Sequence, residues 1–310
     1  MKVLGRPELR SNDSRRWQNN PHLRTSISYL HAIFDYLDEA DIRMYRISSD
    51  IAPYITHPDL PQFHHQIEES RDELGELGAK ARRFGIRLSM HPSQYIVLNS
   101  PDPRIAAAAV RDFACHAAFL DGLGVGPEAK IVTHVGGVYG DRPAAMARWV
   151  DAYRRLPDAV RDRLVLENDD VSYPVNDTLA INGETGVPLV FDNLHHAVLN
   201  PAGIAEPDAL RRCIATWPPG QMPKIHYSSQ RLAAREVARR DRATGAKHVT
   251  LQAPKPGQHD DDIHAQEFIA FIDAAGDERF DVMLEAKNKD VALLRLRAAI
   301  AEAGRQRRIW

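Results

Sequence analysis

The chain has 310 residues, with 40 Lys+Arg against 42 Asp+Glu, a formal net charge of −2, 44% apolar residues, 14 histidines and two cysteines. That composition excludes a disordered chain, a disulfide framework and a coat of non-specific nucleic-acid binding. The start, MKVLGRPELRSND, has no apolar core and no run nears the ~18 apolar residues of a membrane span, so the expectation is a cytoplasmic globular protein with no membrane partner.

Short apolar runs rich in β-branched residues recur along the chain and read as strands: Val3–Leu4, Ile42–Ile47, Ile86–Met90, Ile131–Val135, Leu164–Glu167, Leu189–Asp192, Lys224–Tyr227 and Phe280–Glu285. Helical spacing fills the gaps. Thr25–Ala40 puts Ile27, Leu30, Ile33, Phe34 and Leu37 on one stripe, with Thr25 as N-cap. Further helices are predicted at Gln62–Phe84, Pro103–Leu123, Ala144–Arg154, Val175–Ile181, Asp208–Ala215, Asp261–Ala275 and Asp290–Ala303. Eight strands alternating with helices over this length predict an α/β fold, a single-domain (β/α)8 TIM barrel. The rival doubly wound sheet needs a phosphate-binding glycine turn after its first strand, and Gly5-Arg6-Pro7 is not one. Ser228–His259 becomes a loop excursion from the mouth, with a helix expected over Arg231–Arg242, and 304–310 a short basic tail.

Barrel sites form at the C-terminal ends of the strands. Those ends carry His91, His134, Glu167, Asp192 with His195 three residues on, His226 and Glu285, while His259 lies in the loop after His226. Imidazole and carboxylate are the usual ligands of zinc, manganese and iron. A single strand-end histidine is ordinarily a hydrogen-bonded core group, and Asp192 could simply cap the next helix. Six strand ends need that bland account independently, whereas clustered buried carboxylates repel unless cations lie among them. The set therefore points to metal. Lys224, two residues before His226 on the same face, must be neutral, meet substrate phosphate, pair with a carboxylate or become an anionic carbamate. Lys287 shares the parity of Glu285 and could meet an anionic substrate.

These residues lie in the runs YRISSDIAPYITHP (45–58), RLSMHPSQYIVLNSPDP (87–103), HVGGVYG (134–140), LENDD (166–170), FDNLHHAVLNP (191–201), PKIHYSSQ (223–230), PGQH (256–259) and VMLEAKNK (282–289). In that order they resemble the ultraviolet-damage endonuclease family. The resemblance implies a metal-dependent DNA repair endonuclease on a (β/α)8 barrel, with up to three divalent ions, manganese foremost and zinc or magnesium as alternatives. Carried over by motif, its ligands are the same eight residues, and it implies a carboxylated Lys224. It further implies nicking of duplex DNA immediately 5′ of pyrimidine dimers and 6-4 photoproducts, leaving 3′-hydroxyl and 5′-phosphate ends. Glu167, Glu285 and Lys224 carry that hydrolysis, and Gln94 and Tyr95 probe the duplex at the lesion. Tyr139, Lys287 and Arg6 join the expected DNA-facing set, with Trp17 as a second wedge. The chain departs from the family near its start, where Arg6 and Arg10 stand roughly in the places of an aromatic and an asparagine.

Charge is uneven. Residues 1–24 hold six Lys/Arg against Glu8 and Asp13, and residues 231–255 hold seven against Glu236 and Asp241, offset by the acidic Asp59–Glu76. Basic stretches flanking the mouth would hold phosphates. The partner expected is ultraviolet-damaged double-stranded DNA, met by a monomer. The rival readings are another barrel metalloenzyme, either an abasic-site endonuclease or a sugar isomerase, and a non-cleaving damage-binding module.

Overall fold

The structure, a computed structural model, describes residues 2–241 and 244–305. Its strands are β1 (Met44–Ile47), β2 (Arg87–Met90), β3 (Lys130–Thr133), β4 (Leu164–Glu167), β5 (Leu189–Val190), β6 (Lys224–Tyr227), β7 (Arg235–Arg240), β8 (Lys247–Gln252) and β9 (Asp281–Leu284). Its helices are α1 (Leu23–Glu39), α2 (Gln66–Glu69), α3 (Arg71–Arg83), α4 (Pro103–Gly122), α5 (Arg142–Arg154), α6 (Asp158–Arg161), α7 (Val175–Thr185), α8 (Asn193–Val198), α9 (Glu206–Ile214), α10 (Ala265–Ala275) and α11 (Lys289–Glu302).

Strands β1 to β5 pair in parallel in chain order, and β6 pairs in parallel with β9. A parallel bridge between Asp192 and His226, with the His226 amide donating to the Phe191 carbonyl at 2.9 Å, joins the two sheets into one curved wall. The helices pack outside, giving a (β/α)8-type barrel. Strands β3, β4 and β6 are buried at every position, which their near-continuous apolar runs require. Residues of one parity face outward onto the helices. Those of the other fill the lumen, where Val132, Val165 and Val190 pack on Trp217, whose Nε1 donates to the Leu189 carbonyl at 2.7 Å. Asp102 and Asp141 start α4 and α5 by accepting from the amides of Arg104 and Ala144. Among the described residues no helix is long and apolar enough to cross a membrane.

Four expectations change. Val3–Leu4 forms no strand, because the Leu4 and Gly5 amides donate to the Asp290 carboxylate at 2.6 and 2.8 Å instead of to a ladder. The wall between β9 and β1 is therefore not closed by strand pairing among the described residues, and a cavity of about 780 Å³ lies there, lined by Val3, Met44 and Leu284 among others. Helix α1 is capped three residues early, on His22, whose ring accepts from the Arg24 amide. The long helix expected over Gln62–Phe84 breaks at Ser70 into α2 and α3. Most tellingly, Arg231–Arg242 is no helix: β7 and β8 form an antiparallel hairpin, in which HVTLQ of β8 alternates at a period of two and Gly245, before β8, takes φ +70°. Most of the expected basic tail, from residue 306 on, lies outside the described residues.

Candidate metal centre

The inward parity of the wall brings the strand-end residues to one place. Glu167, at the tip of β4 and 1% exposed, is the hub. His91 Nε2 lies 3.0 Å from its Oε2 and His134 Nε2 3.6 Å from the same oxygen. On the other oxygen, His226 Nδ1 stands at 2.7 Å and His195 Nδ1 at 3.7 Å. Glu285 at the end of β9 lies 3.4 Å from His226 Nδ1 and 3.7 Å from His259 Nδ1. Donor atoms of His91, His134 and Glu167, of Glu167, Asp192 and His195, and of Asp192, His226 and Glu285 fall into three sets, each within 4.8 Å.

The donor set fits divalent cations. Burial pushes Asp192 up to about 8; His195, itself raised to about 9 beside Asp192 and Glu167 against its own burial, opposes the rise, and the Glu167 and Glu285 carboxylates add to it. Burial drives the His226 imidazole down to about 4 and also lowers His134, so both rings are neutral and offer lone pairs. Against its own burial, Glu167 is held well below the usual carboxylate range by His226 and His134. Asp192 Oδ2, His134 Nδ1, His226 Nε2 and Lys224 Nζ are buried with no hydrogen-bond partner. Orphaned buried atoms cost free energy unless something engages them. Lys224, 1% exposed, is lowered to about 7 by burial, with Arg46 and Arg87 beside it adding to the effect.

Asp192 satisfies both readings of a strand-end aspartate at once. Its Oδ1 caps α8 by accepting from the His195 amide at 2.8 Å, leaving Oδ2 for the centre. Two contributors escaped the sequence reading. The Arg46 guanidinium forms an ion pair with Glu285; the outward burial of Tyr45 and Ile47 on either side makes its inward direction readable in hindsight. Buried Asn168 accepts from the Asp192 amide at 2.9 Å and donates to the Asp192 carbonyl at 3.1 Å, while its own carbonyl lies 2.9 Å from His195 Nδ1. It positions both candidate ligands, and its only signal was its place after Glu167.

The residues expected to face DNA form a looser group. Gln94 and Tyr95 are exposed on the loop after β2, Tyr95 at 78%. Tyr139, on the loop after β3, is 47% exposed with φ +50°, a costly conformation for an aromatic, and the Arg148 guanidinium sits 5.6 Å from its ring. Lys287 is exposed beyond β9. Trp17 is half-exposed in the segment entering α1, which is tied to the loop after β1 through Asn12 and the Asp50 carbonyl. Arg6 is taken up elsewhere, paired with Glu39 and Glu8 and lying over the Tyr36 ring.

Fold and site define a (β/α)8 barrel with a histidine- and carboxylate-rich centre at its C-terminal face. The sequence profile described as UV-endonuclease UvdE matches residues 16–309. A UV DNA damage endonuclease of Bacillus velezensis is 38% identical over 259 residues, covering 82% of this chain and 74% of that protein. The crystal structure of SacUVDE superposes with a TM-score of 0.81 at 28% identity, covering 98% of this chain and 97% of the other. D-Psicose 3-epimerase of Clostridium cellulolyticum H10, at a TM-score of 0.52 and 16% identity over 83% of this chain and 79% of its own, shares the fold alone. The chain belongs to the UV-endonuclease UvdE family.

Proposed function

We propose that this protein is a metal-dependent DNA repair endonuclease that nicks duplex DNA immediately 5′ of ultraviolet photolesions, leaving a 3′-hydroxyl and a 5′-phosphate. Family membership supports endonuclease action on DNA. The observation that carries the metal dependence is the convergence of His91, His134, Glu167, Asp192, His195, His226, His259 and Glu285 around buried atoms that lack partners. When bound there, divalent ions, manganese in our reading and up to three, supply water activation, charge neutralisation of the phosphate and stabilisation of the leaving 3′-oxygen.

The chain's own groups do the rest. Glu167 presents one oxygen to each side of the centre, and Glu285 and Asp192 extend the carboxylate array across it. The neutral imidazoles of His134 and His226 offer lone pairs to the centre. In our reading the buried Lys224 amine adds to carbon dioxide, forming an N–C bond and losing a proton, to give an anionic carbamate. Gln94 and Tyr95, unburdened by packing, enter the duplex where the lesion weakens stacking, and Tyr139 and Lys287 lie on the same rim.

One assay with irradiated, abasic and undamaged duplexes in parallel tests this. Cleavage of the irradiated duplex alone, lost with a chelator and restored by manganese, is the expected result. Unselective or metal-independent cleavage refutes the reading. Glu167→Gln or Glu285→Gln should abolish nicking with the fold intact by circular dichroism, and unchanged nicking would remove either from its role. Native mass spectrometry should find one carbon dioxide on the protein, absent in Lys224→Arg.

A further inference from the structure

The β7–β8 hairpin has no place in the barrel. Its base is fixed to the metal centre's own flank: Gln230 bridges to His259, the Arg231 amide donates to the Gln258 carbonyl at 2.7 Å, and the Gly257 amide donates to Gln230 Oε1 at 2.8 Å. The Arg231 guanidinium, in a residue 5% exposed, pairs with Asp261. From that anchor six residue pairs run outward, Arg235 opposite Gln252 through to Arg240 opposite Lys247. At about 3.3 Å per residue the ribbon reaches about 20 Å.

No part of the described chain covers it. Every residue of β8 except Gln252 is exposed, Val249 at 60% and Leu251 at 73%. Cross-strand pairs share a face, so one side carries Arg235, Gln252, Val237, Thr250 and His248. The other carries Glu236 opposite Leu251 and Ala238 opposite Val249, with Arg240 and Lys247 at its tip. An isolated two-stranded hairpin is marginal in water, and exposed apolar side chains ringed by charge mark an interaction surface. Residues 231–255 hold seven Lys/Arg against two acidic residues in a chain whose total is −2, so the complementary partner is a polyanion.

We propose that this ribbon enters the major groove of the duplex flanking the lesion, with Arg235, Arg240 and Lys247 on phosphates. B-DNA's major groove admits a two-stranded ribbon and offers thymine methyl groups to apolar side chains such as Val249 and Leu251. The ribbon spans about six base-pair steps at ~3.4 Å each. This rests on the reading of the protein as a DNA endonuclease, but its test does not require cleavage.

The experiment measures equilibrium binding of a labelled undamaged duplex by the full chain over a potassium chloride series. It compares wild type, the triple variant Arg235→Ala/Arg240→Ala/Lys247→Ala, and Arg212→Ala on the outer helix α9 as a charge control. With a salt slope of about −0.9 per phosphate contact, the triple variant should lose about 2–3 units of slope and the control none. Dimethyl sulfate should find guanine N7 atoms protected by wild type and exposed with the triple variant. Equal slopes, or loss in the control as well, overturn the proposal. So does a sedimentation shift showing that Val249 and Leu251 join two copies of the chain. If wild type fails to nick irradiated DNA yet the slope falls, the enzymatic reading fails and the ribbon stands; nicking with unchanged slope gives the reverse.

Discussion

At the scale of single residues, the centre depends on groups that touch no substrate. Asn168 fixes the backbone on both sides of Asp192 and meets His195 through its carbonyl. Asn168→Ala should weaken manganese binding about 10–100-fold, as loss of ligand-orienting partners does, and titration calorimetry would register it. An unaltered affinity would make Asn168 merely structural. Far from the centre, buried Asp13 accepts from the Arg15 guanidinium at 2.6 and 2.8 Å and from the His22 amide at 3.0 Å. The Arg15 hydrogen bonds, opposed by burial, hold its carboxyl below the ordinary carboxylate value. A depressed folded value means that its stabilisation is present above the unfolded pKa and lost as pH falls through the folded one. Asp13→Asn should therefore cost about 1–3 kcal/mol near pH 7, and the difference from wild type in urea melts should shrink as pH drops below about 4. A cost that does not vary with pH would show that the charge is irrelevant.

At the scale of elements, α8 begins on a residue with two duties. Asp192→Asn keeps the Oδ1 acceptor for the His195 amide while removing the negative charge, so metal retention should fall with little change in the melting temperature of the metal-free protein. Asp192→Ala removes the cap too and should cost about 1 kcal/mol more, read as the difference in melts of the two metal-free variants. The lower lumen is filled by one large side chain, Trp217, against Val132, Val165 and Val190. Trp217→Ala should destabilise by about 3–5 kcal/mol, measurable by guanidinium unfolding, because strands held on all sides cannot collapse onto the void. A much smaller cost would mean that the wall relaxes.

At the scale of the whole molecule, the proposed ligands come from β4, β6, α8 and the segments following β2, β3, β5, β8 and β9, so an ion cluster bound there would cross-link most of the wall. The wall has a seam between β9 and β1 that strand pairing does not close among the described residues. Cations bound across the mouth should thus stabilise the folded state, by about 2.7 kcal/mol at a hundredfold excess over Kd. Calorimetric melts with and without manganese should show that gain, and it should vanish in Glu167→Gln. Acidification protonates imidazole ligands and releases metal, so the gain should also fade as the medium is made acidic.

The sequence by itself determined the barrel and the chemistry at its mouth. Alternation sets which side chains point inward, and strand ends carrying His91, Glu167, His226 and Glu285 sit at one face in any parallel barrel; both are local consequences of backbone geometry. Only the tertiary structure decided the rest. Arg46 meets Glu285 across 239 residues of chain. The amides of Leu4 and Gly5 choose Asp290 over a ladder, and Gln230 meets His259 to root the ribbon. Alternation was present in HVTLQ of β8 but not in REVARR of β7, and a short mixed run suits a helix as well until its partner strand is known. Those choices are made by competition between distant groups for the same hydrogen bonds and charges, which no local pattern records.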